Sequence, residues 1–210
     1  ATRAASFSQL LDATRARLQR RLELGIGTTE IKSGYGLSQE HELRQLEVVA
    51  ALKAEGFDVE GTLLAAHVVP KDRPKETWIA QIIEELIPQV AQRKLALFVD
   101  VFVEQGTYTP EDAEQIFAAA RQHGLHPRLH ADQLSDSGGA SLAARTGATS
   151  ADHLEHINDE GIAALRDAGV VAMLLPGAMT YLKDAAPDLG RRLVDSGVTI
   201  GVATDANRYA

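Results

Sequence analysis

Apolar and polar positions along the chain alternate between two patterns: stretches with helical spacing and short, nearly continuous apolar runs. Leu11, Leu18 and Leu22 recur at helical spacing, and Gly25 stands where a helix C-cap glycine belongs. Residues 27–32 then read as a strand stopped by Ser33-Gly34-Tyr35-Gly36. A second helix is predicted from Ser38 to Gly56, with Leu43, Leu46 and Val49 on its apolar face. The second apolar run, 62–67, closes at Pro70. Residues 75–93 are helical in pattern, but Pro88 must kink or divide them. Run 97–104 is rich in β-branched and aromatic residues, and Thr109-Pro110-Glu111-Asp112 opens a helix with an N-cap, a first-turn proline and two acids facing the helix dipole. The fourth run ends at His130. A small-residue helix over 139–145 leads to the fifth, ending at His153, and Asn158-Asp159-Glu160 caps another helix. The sixth run, 170–175, stops at Pro176-Gly177; a helix over 189–196 precedes the seventh, 198–203, ending at Asp205.

Apolar runs of this kind between helices predict a parallel sheet covered on both faces. Seven strand–helix steps suit a TIM-type (β/α) barrel better than an open dinucleotide-binding sheet. No GxGxxG turn and no GxxxxGK[ST] loop occurs. A closed barrel has eight strands. Since the chain opens on a helix, the expected fold is an incomplete barrel lacking the first strand, a single partial domain over 1–210.

That architecture makes the run endings chemically interesting, because the C-terminal ends of barrel strands share one face. His130, His153 and Asp205 are imidazole and carboxylate groups suited to a divalent metal and the water it activates. Each also has an ordinary reading: a hydrogen-bonded histidine at the sheet edge, or an aspartate capping a turn. Asp205 directly after an apolar run reads best as a metal ligand that also acts as general base. His153 has Asp152 and Glu155 beside it, either able to fix its tautomer. His156 is the competing histidine, better placed for a loop. His67 and Tyr35 end two further runs, and the glycines flanking Tyr35 allow a tight bend that presents the phenol.

Composition narrows the partners. Of the 210 residues 45% are hydrophobic, enough for a sizeable core, and the formal charge of -8 argues against nucleic acid or an anionic membrane surface. With no cysteine, any metal must be held by nitrogen and oxygen. There is no membrane-length apolar stretch and no signal-peptide pattern, so a cytoplasmic protein is expected.

Six segments carry a resemblance. Glu30-Ile31-Lys32-Ser33-Gly34-Tyr35-Gly36-Leu37, Ala66-His67-Val68-Val69-Pro70, His130-Ala131-Asp132-Gln133-Leu134-Ser135, Ser150-Ala151-Asp152-His153-Leu154-Glu155, Leu174-Leu175-Pro176-Gly177-Ala178 and Ala203-Thr204-Asp205-Ala206-Asn207 together resemble the imidazolonepropionase family of metal-dependent amidohydrolases. The resemblance implies hydrolysis of the ring amide of 4-imidazolone-5-propanoate to N-formimidoyl-L-glutamate, in histidine degradation. It implies one zinc or iron ion held by His130 and Asp205. It makes His153 the histidine near the scissile carbonyl and Asp205 the proton carrier, with Tyr35, His67, Gln133 and Asn207 binding substrate. A small-molecule substrate, and a homodimer for the intact protein, are the expected partners. Three departures stand out. The family's His-x-His pair, with the substrate-binding arginine that follows it, is not in this chain. Arg208-Tyr209-Ala210 stands where a Pro-Gly-Thr/Ser turn is expected. Gln133 replaces a glutamate found in some members, and an amide can orient substrate but cannot act as base. Lacking two ligands, these 210 residues alone are expected to bind metal weakly and to be inactive. The alternatives are a nucleobase or aromatic deaminase of the same superfamily, or a truncated, non-catalytic chain.

Overall fold

The computed structural model describes residues 2–183 and 186–206. They form two compact units, one running to Asp100 and including Ala118–His126, the other comprising Val101–Phe117 and the chain from Pro127 onward. Seven strands, β1 (Thr29–Lys32), β2 (Val59–Ala66), β3 (Phe98–Val103), β4 (His126–Ala131), β5 (Ser150–His153), β6 (Val171–Leu174) and β7 (Ile200–Val202), are ordered in the sheet as they are in the sequence. The strand–helix alternation read from the apolar pattern is therefore borne out: every predicted strand is present, most are one to three residues shorter than read, β2 starts three residues earlier and β4 runs one residue past His130.

In the first unit, helix α1 (Phe7–Glu23) starts at a reciprocal cap. The Ser6 hydroxyl accepts the Gln9 N–H at 3.2 Å, and the Gln9 side-chain oxygen accepts the Ser6 N–H at 2.8 Å. Leu18 of α1 packs with Val48, Val49 and Leu52 of helix α2 (Gln39–Ala54) and with Val59 of β2. Each such buried side chain contributes about 1.5–3 kcal/mol. Leu22, although in phase with Leu18, is half exposed. Strands β1 and β2 pair in parallel, Thr29 with Val59 and Lys32 with Thr62. The Pro88 expectation holds in an informative form: α3 (Lys75–Gln81) and α4 (Ile87–Gln92) are joined by a π-helical turn, Ile82–Leu86, which accommodates the N–H that proline lacks. Trp78 is fully buried there and donates its indole N–H to the Ala65 carbonyl at 3.0 Å.

In the second unit, β4 pairs with β5, β5 with β6 and β6 with β7, all parallel. Helix α5 (Pro110–Gln122) begins in this unit with the N-cap its sequence announces, made reciprocal by Asp112: Asp112 accepts the Thr109 N–H at 2.9 Å, and Thr109 accepts that of Asp112 at 3.3 Å. Helices α6 (Gly139–Arg145) and α7 (Asp159–Ala168) follow. The Asn158 side chain caps α7 on the Gly161 N–H, and left-handed Gly169 closes it. Helix α8 (Pro176–Leu182) was not foreseen, because Pro176-Gly177 reads as a breaker. Here Pro176 is the first helical residue, where its fixed φ and missing N–H do no harm. Helix α9 (Leu189–Asp195) leads into β7.

Candidate functional site

Tyr35 and His67 are brought together in the first unit. Their rings meet edge to face, with centroids 5.1 Å apart, and Tyr35 stays 44% exposed. The bend carrying Tyr35 is built around a residue the sequence did not single out. Glu42, on α2 and fully buried, accepts the N–H of Gly34 at 2.7 Å with one carboxylate oxygen and those of Gly36 (2.7 Å) and Leu37 (2.8 Å) with the other. Burial raises the Glu42 pKa above the ordinary carboxylate range, against the opposing pull of its hydrogen bonds to Ser33 and these backbone groups. Two glycines are needed here. Gly34 has φ 122°, and a Cβ on Gly36 would lie 2.6 Å from the backbone of His41 and Glu42. In the same unit, Lys32 reaches the buried Asp100 carboxylate at 2.6 Å and Glu30 at 3.2 Å.

His130 and His153 are brought together in the second unit. Both are buried, and their ring centroids are 5.3 Å apart; the His130 ring is also edge-on to Phe102 at 5.9 Å. Register explains half of this. His130 pairs with Asp152, so both project from the same face, and they offer ligand atoms within 4.8 Å of each other. His153 pairs with Ala131, and strand alternation alone would send it to the opposite face. The backbone at that point turns left-handed, with φ 82° at His153 and 72° at Leu154. Two successive non-glycine residues in this region are costly, at about 1–3 kcal/mol each. The strain is held by Leu154 and His156, whose N–H groups bond the carbonyls of Ala131 (3.0 Å) and Asp132 (2.9 Å). His156 itself is exposed, so of the two histidines His153 is the interior one.

The bend after β4, which carries half-buried Gln133, rests on two more buried carboxylates. Asp132 accepts the N–H groups of Ser137 (3.0 Å), Gly139 (2.8 Å) and Ala140 (2.8 Å), while Glu104 accepts the Leu134 N–H (2.8 Å) and the Ser135 hydroxyl (2.9 Å). Asp205 follows β7 half-buried with φ 45°. Asn207 lies outside the described residues.

Two buried residues of the second unit, His130 on β4 and Asp152 on β5, therefore have the donor chemistry for a metal ion. Of these the sequence reading singled out His130 alone. Asp152 was read as a neighbour of His153, because which residue of β5 stands beside His130 depends on register, and register is not visible in one strand's sequence. Oxygen and nitrogen donors on buried strand positions fit a zinc or iron ion in kind.

No family model matches the chain. It is 45% identical over 210 residues to an imidazolonepropionase of Brevibacillus brevis, 46% to one of Geobacillus kaustophilus and 47% to one of Xanthomonas campestris. Each alignment covers 99% of this chain and 49–52% of the relative. Among solved structures, a 5-methylcytosine deaminase from Klebsiella pneumoniae aligns with TM-score 0.74 at 13% identity, over 98% of this chain and 54% of its own. An adenine deaminase from Arthrobacter aurescens aligns with TM-score 0.72 at 17% identity, over 97% and 64%. At such identities the structures speak for the fold alone: an incomplete (β/α) barrel with seven strands. By sequence, the chain is similar to imidazolonepropionases along 99% of its own length and spans about half of theirs.

Proposed function

We propose that the complete protein hydrolyses the ring amide of 4-imidazolone-5-propanoate to N-formimidoyl-L-glutamate, and that residues 1–210 are its partial metal-dependent hydrolase barrel domain. The observation that carries this reading is the 45–47% identity to imidazolonepropionases over essentially the whole chain. The six motifs quoted above lie within that alignment. The paired rings of His130 and His153 support it.

In this reading one divalent ion, zinc or iron, is held by His130 and Asp205, with Asp152 a further buried donor beside His130. When bound, the ion polarises the amide carbonyl and lowers the pKa of a water from about 16 toward about 7. Asp205 takes a proton from the attacking water and returns it to the departing ring nitrogen. His153 holds its ring beside the reacting carbonyl. Tyr35, His67, Gln133 and Asn207 bind the substrate, Gln133 through its amide alone. The substrate is a small molecule. The setting proposed is the cytoplasm. No helix among the described residues is long and apolar enough to cross a membrane.

The test is turnover by the complete protein. Loss of the imidazolone ultraviolet absorbance without ammonia release supports ring hydrolysis; ammonia release would assign a deaminase instead. Asp205→Ala is expected to lower kcat by at least about 100-fold, in line with removal of a general base. A normal kcat in that variant removes Asp205 from the reaction.

A further inference from the structure

Beside the paired histidines lies a polar pair that the proposed reaction leaves unexplained. His153 Nδ1 and both carboxylate oxygens of Glu155 are sealed from solvent, and none has a hydrogen-bond partner among the described residues. The two side chains are 3% and 1% exposed, and Nδ1 stands 3.6 Å from the nearer Glu155 oxygen. That separation is beyond a hydrogen bond but less than 1 Å from one, since a charge-assisted N–H···O contact closes at about 2.8 Å. A carboxylate enclosed without a donor is unfavourable by several kcal/mol. The neighbouring backbone donors are engaged elsewhere: the Leu154 and His156 N–H groups bond carbonyls of the β4 segment. His153 is thus the donor at hand, and the left-handed backbone at His153 and Leu154 brings its ring there. Glu155 is not grouped with any set of three metal-ligating side chains among the described residues.

We infer that Glu155 is the positioning residue for His153: its carboxylate accepts a hydrogen bond from Nδ1–H, fixes the neutral ring as the Nδ1–H tautomer, and so makes Nε2 a proton acceptor. A histidine whose Nδ1 proton is anchored presents only a lone pair at Nε2. His153 then receives a hydrogen bond or proton from substrate or water and does not donate one to a carbonyl oxygen. The strain at this strand end and the enclosed carboxylate acquire a common purpose, which is to aim one nitrogen.

The catalytic consequence rests on the hydrolase reading, while the tautomer does not, and two measurements separate them. The first is a long-range proton–nitrogen spectrum of the histidine rings at a pH of about 8.5, where ordinary imidazoles are neutral, with His153 assigned by the signals lost in His153→Asn. The expected result is a protonated Nδ1 and a bare Nε2 at His153, with the proton moving to Nε2 in Glu155→Leu. An Nε2–H tautomer in the unmodified protein overturns the inference, as does an Nδ1–H signal that persists in the Leu variant. Because the unmodified protein alone can give the refuting result, a Leu variant that failed to fold would not shield the idea. The second is kinetics of the complete enzyme. Glu155→Gln is expected to lower kcat about 10- to 100-fold, as removal of an orienting partner does, with KM little changed and part of the loss recovered in Glu155→Asp. An unchanged kcat overturns the positioning role. If the ring proton follows Glu155 but imidazolonepropanoate is not turned over, the hydrolase reading falls and the positioning stands.

Discussion

Glu42 in the first unit and Glu155 in the second are both buried glutamates next to a strand-end bend, and they are in opposite condition. Glu42 receives three backbone N–H groups on its two oxygens, while Glu155 receives none from the described residues. Asp132 sides with Glu42, its carboxylate accepting three backbone N–H groups of the bend after β4. A buried carboxylate of the first kind gives a bend one conformation and contributes to stability while doing so. A buried carboxylate of the second kind contributes nothing to stability that the structure displays, and its presence is accounted for by the histidine it faces. Satisfaction of polar groups thus separates scaffold from working parts more sharply than burial does.

The largest expected effect tests the scaffold side. Glu42→Ala leaves the buried N–H groups of Gly34 and Gly36 and the part-buried one of Leu37 without an acceptor, each buried one worth about 1–3 kcal/mol, and a loss of about 4 kcal/mol in urea unfolding is expected. A loss below about 1 kcal/mol, the scale of an ordinary surface change, would mean that Glu42 is not what holds the Tyr35 bend. The pH dependence sharpens the point. Burial raises the carboxyl pKa in the folded state, so the folded chain binds this proton more tightly than the unfolded chain. The stability associated with it is fully present below the unfolded value of about 4.3 and is lost as pH rises through the folded value. The stability difference between the unmodified protein and Glu42→Gln should therefore fall as pH is raised from about 4 toward neutrality. A difference that grows instead would show that the hydrogen bonds outweigh burial.

Glu155→Leu tests the other side and should have the opposite sign. Exchanging a buried carboxylate that has the single His153 donor to offset its desolvation for an apolar side chain of similar size is neutral or stabilising, here by about 1–2 kcal/mol. The His153 proton can move to Nε2 in that variant, so no new enclosed donor is stranded. Thermal unfolding decides it. A destabilisation of about 3 kcal/mol or more, the scale of breaking a fully compensated buried carboxylate, would place Glu155 with Glu42 and end the distinction.

The sequence shows the two kinds of residue unequally, for physical reasons. Strand-end histidines stood out because an apolar run that stops at an imidazole is conspicuous in one dimension; the meeting of His130 and His153 and the edge contact of Tyr35 with His67 follow from it. Asp152 did not stand out, since its partnership with His130 is a matter of register between strands. Glu42 sits among Glu40, His41 and Arg44 on a helix that reads as a charged surface; only the fold turns that one glutamate inward. Glu155 was noted as a neighbour of His153, but its lack of any donor is a property of three-dimensional packing. Helix α8 was lost to the ambiguity of Pro-Gly, which ends one element and can open the next.

Strain gives the comparison its control, with the smallest expected effect. Left-handed non-glycine residues occur at His153, Leu154 and Asp205, all in segments read as functional, and also at Lys94, just past the C-terminus of α4. There the Lys94 N–H bonds the Ala91 carbonyl and the Leu95 N–H bonds that of Val90, an ordinary helix stop in which glycine is the favoured residue. Lys94 is exposed and its side chain makes no hydrogen bond or ion pair among the described residues. Lys94→Gly should therefore relieve the strained φ of 52° and raise stability by about 0.5–1 kcal/mol, with kcat of the complete enzyme unchanged. If Lys94→Gly instead lowered stability, a left-handed φ would not by itself signify strain in this chain. The backbone at His153 would then lose its value as a mark of function, and the inference about Glu155 would rest on the enclosed pair alone.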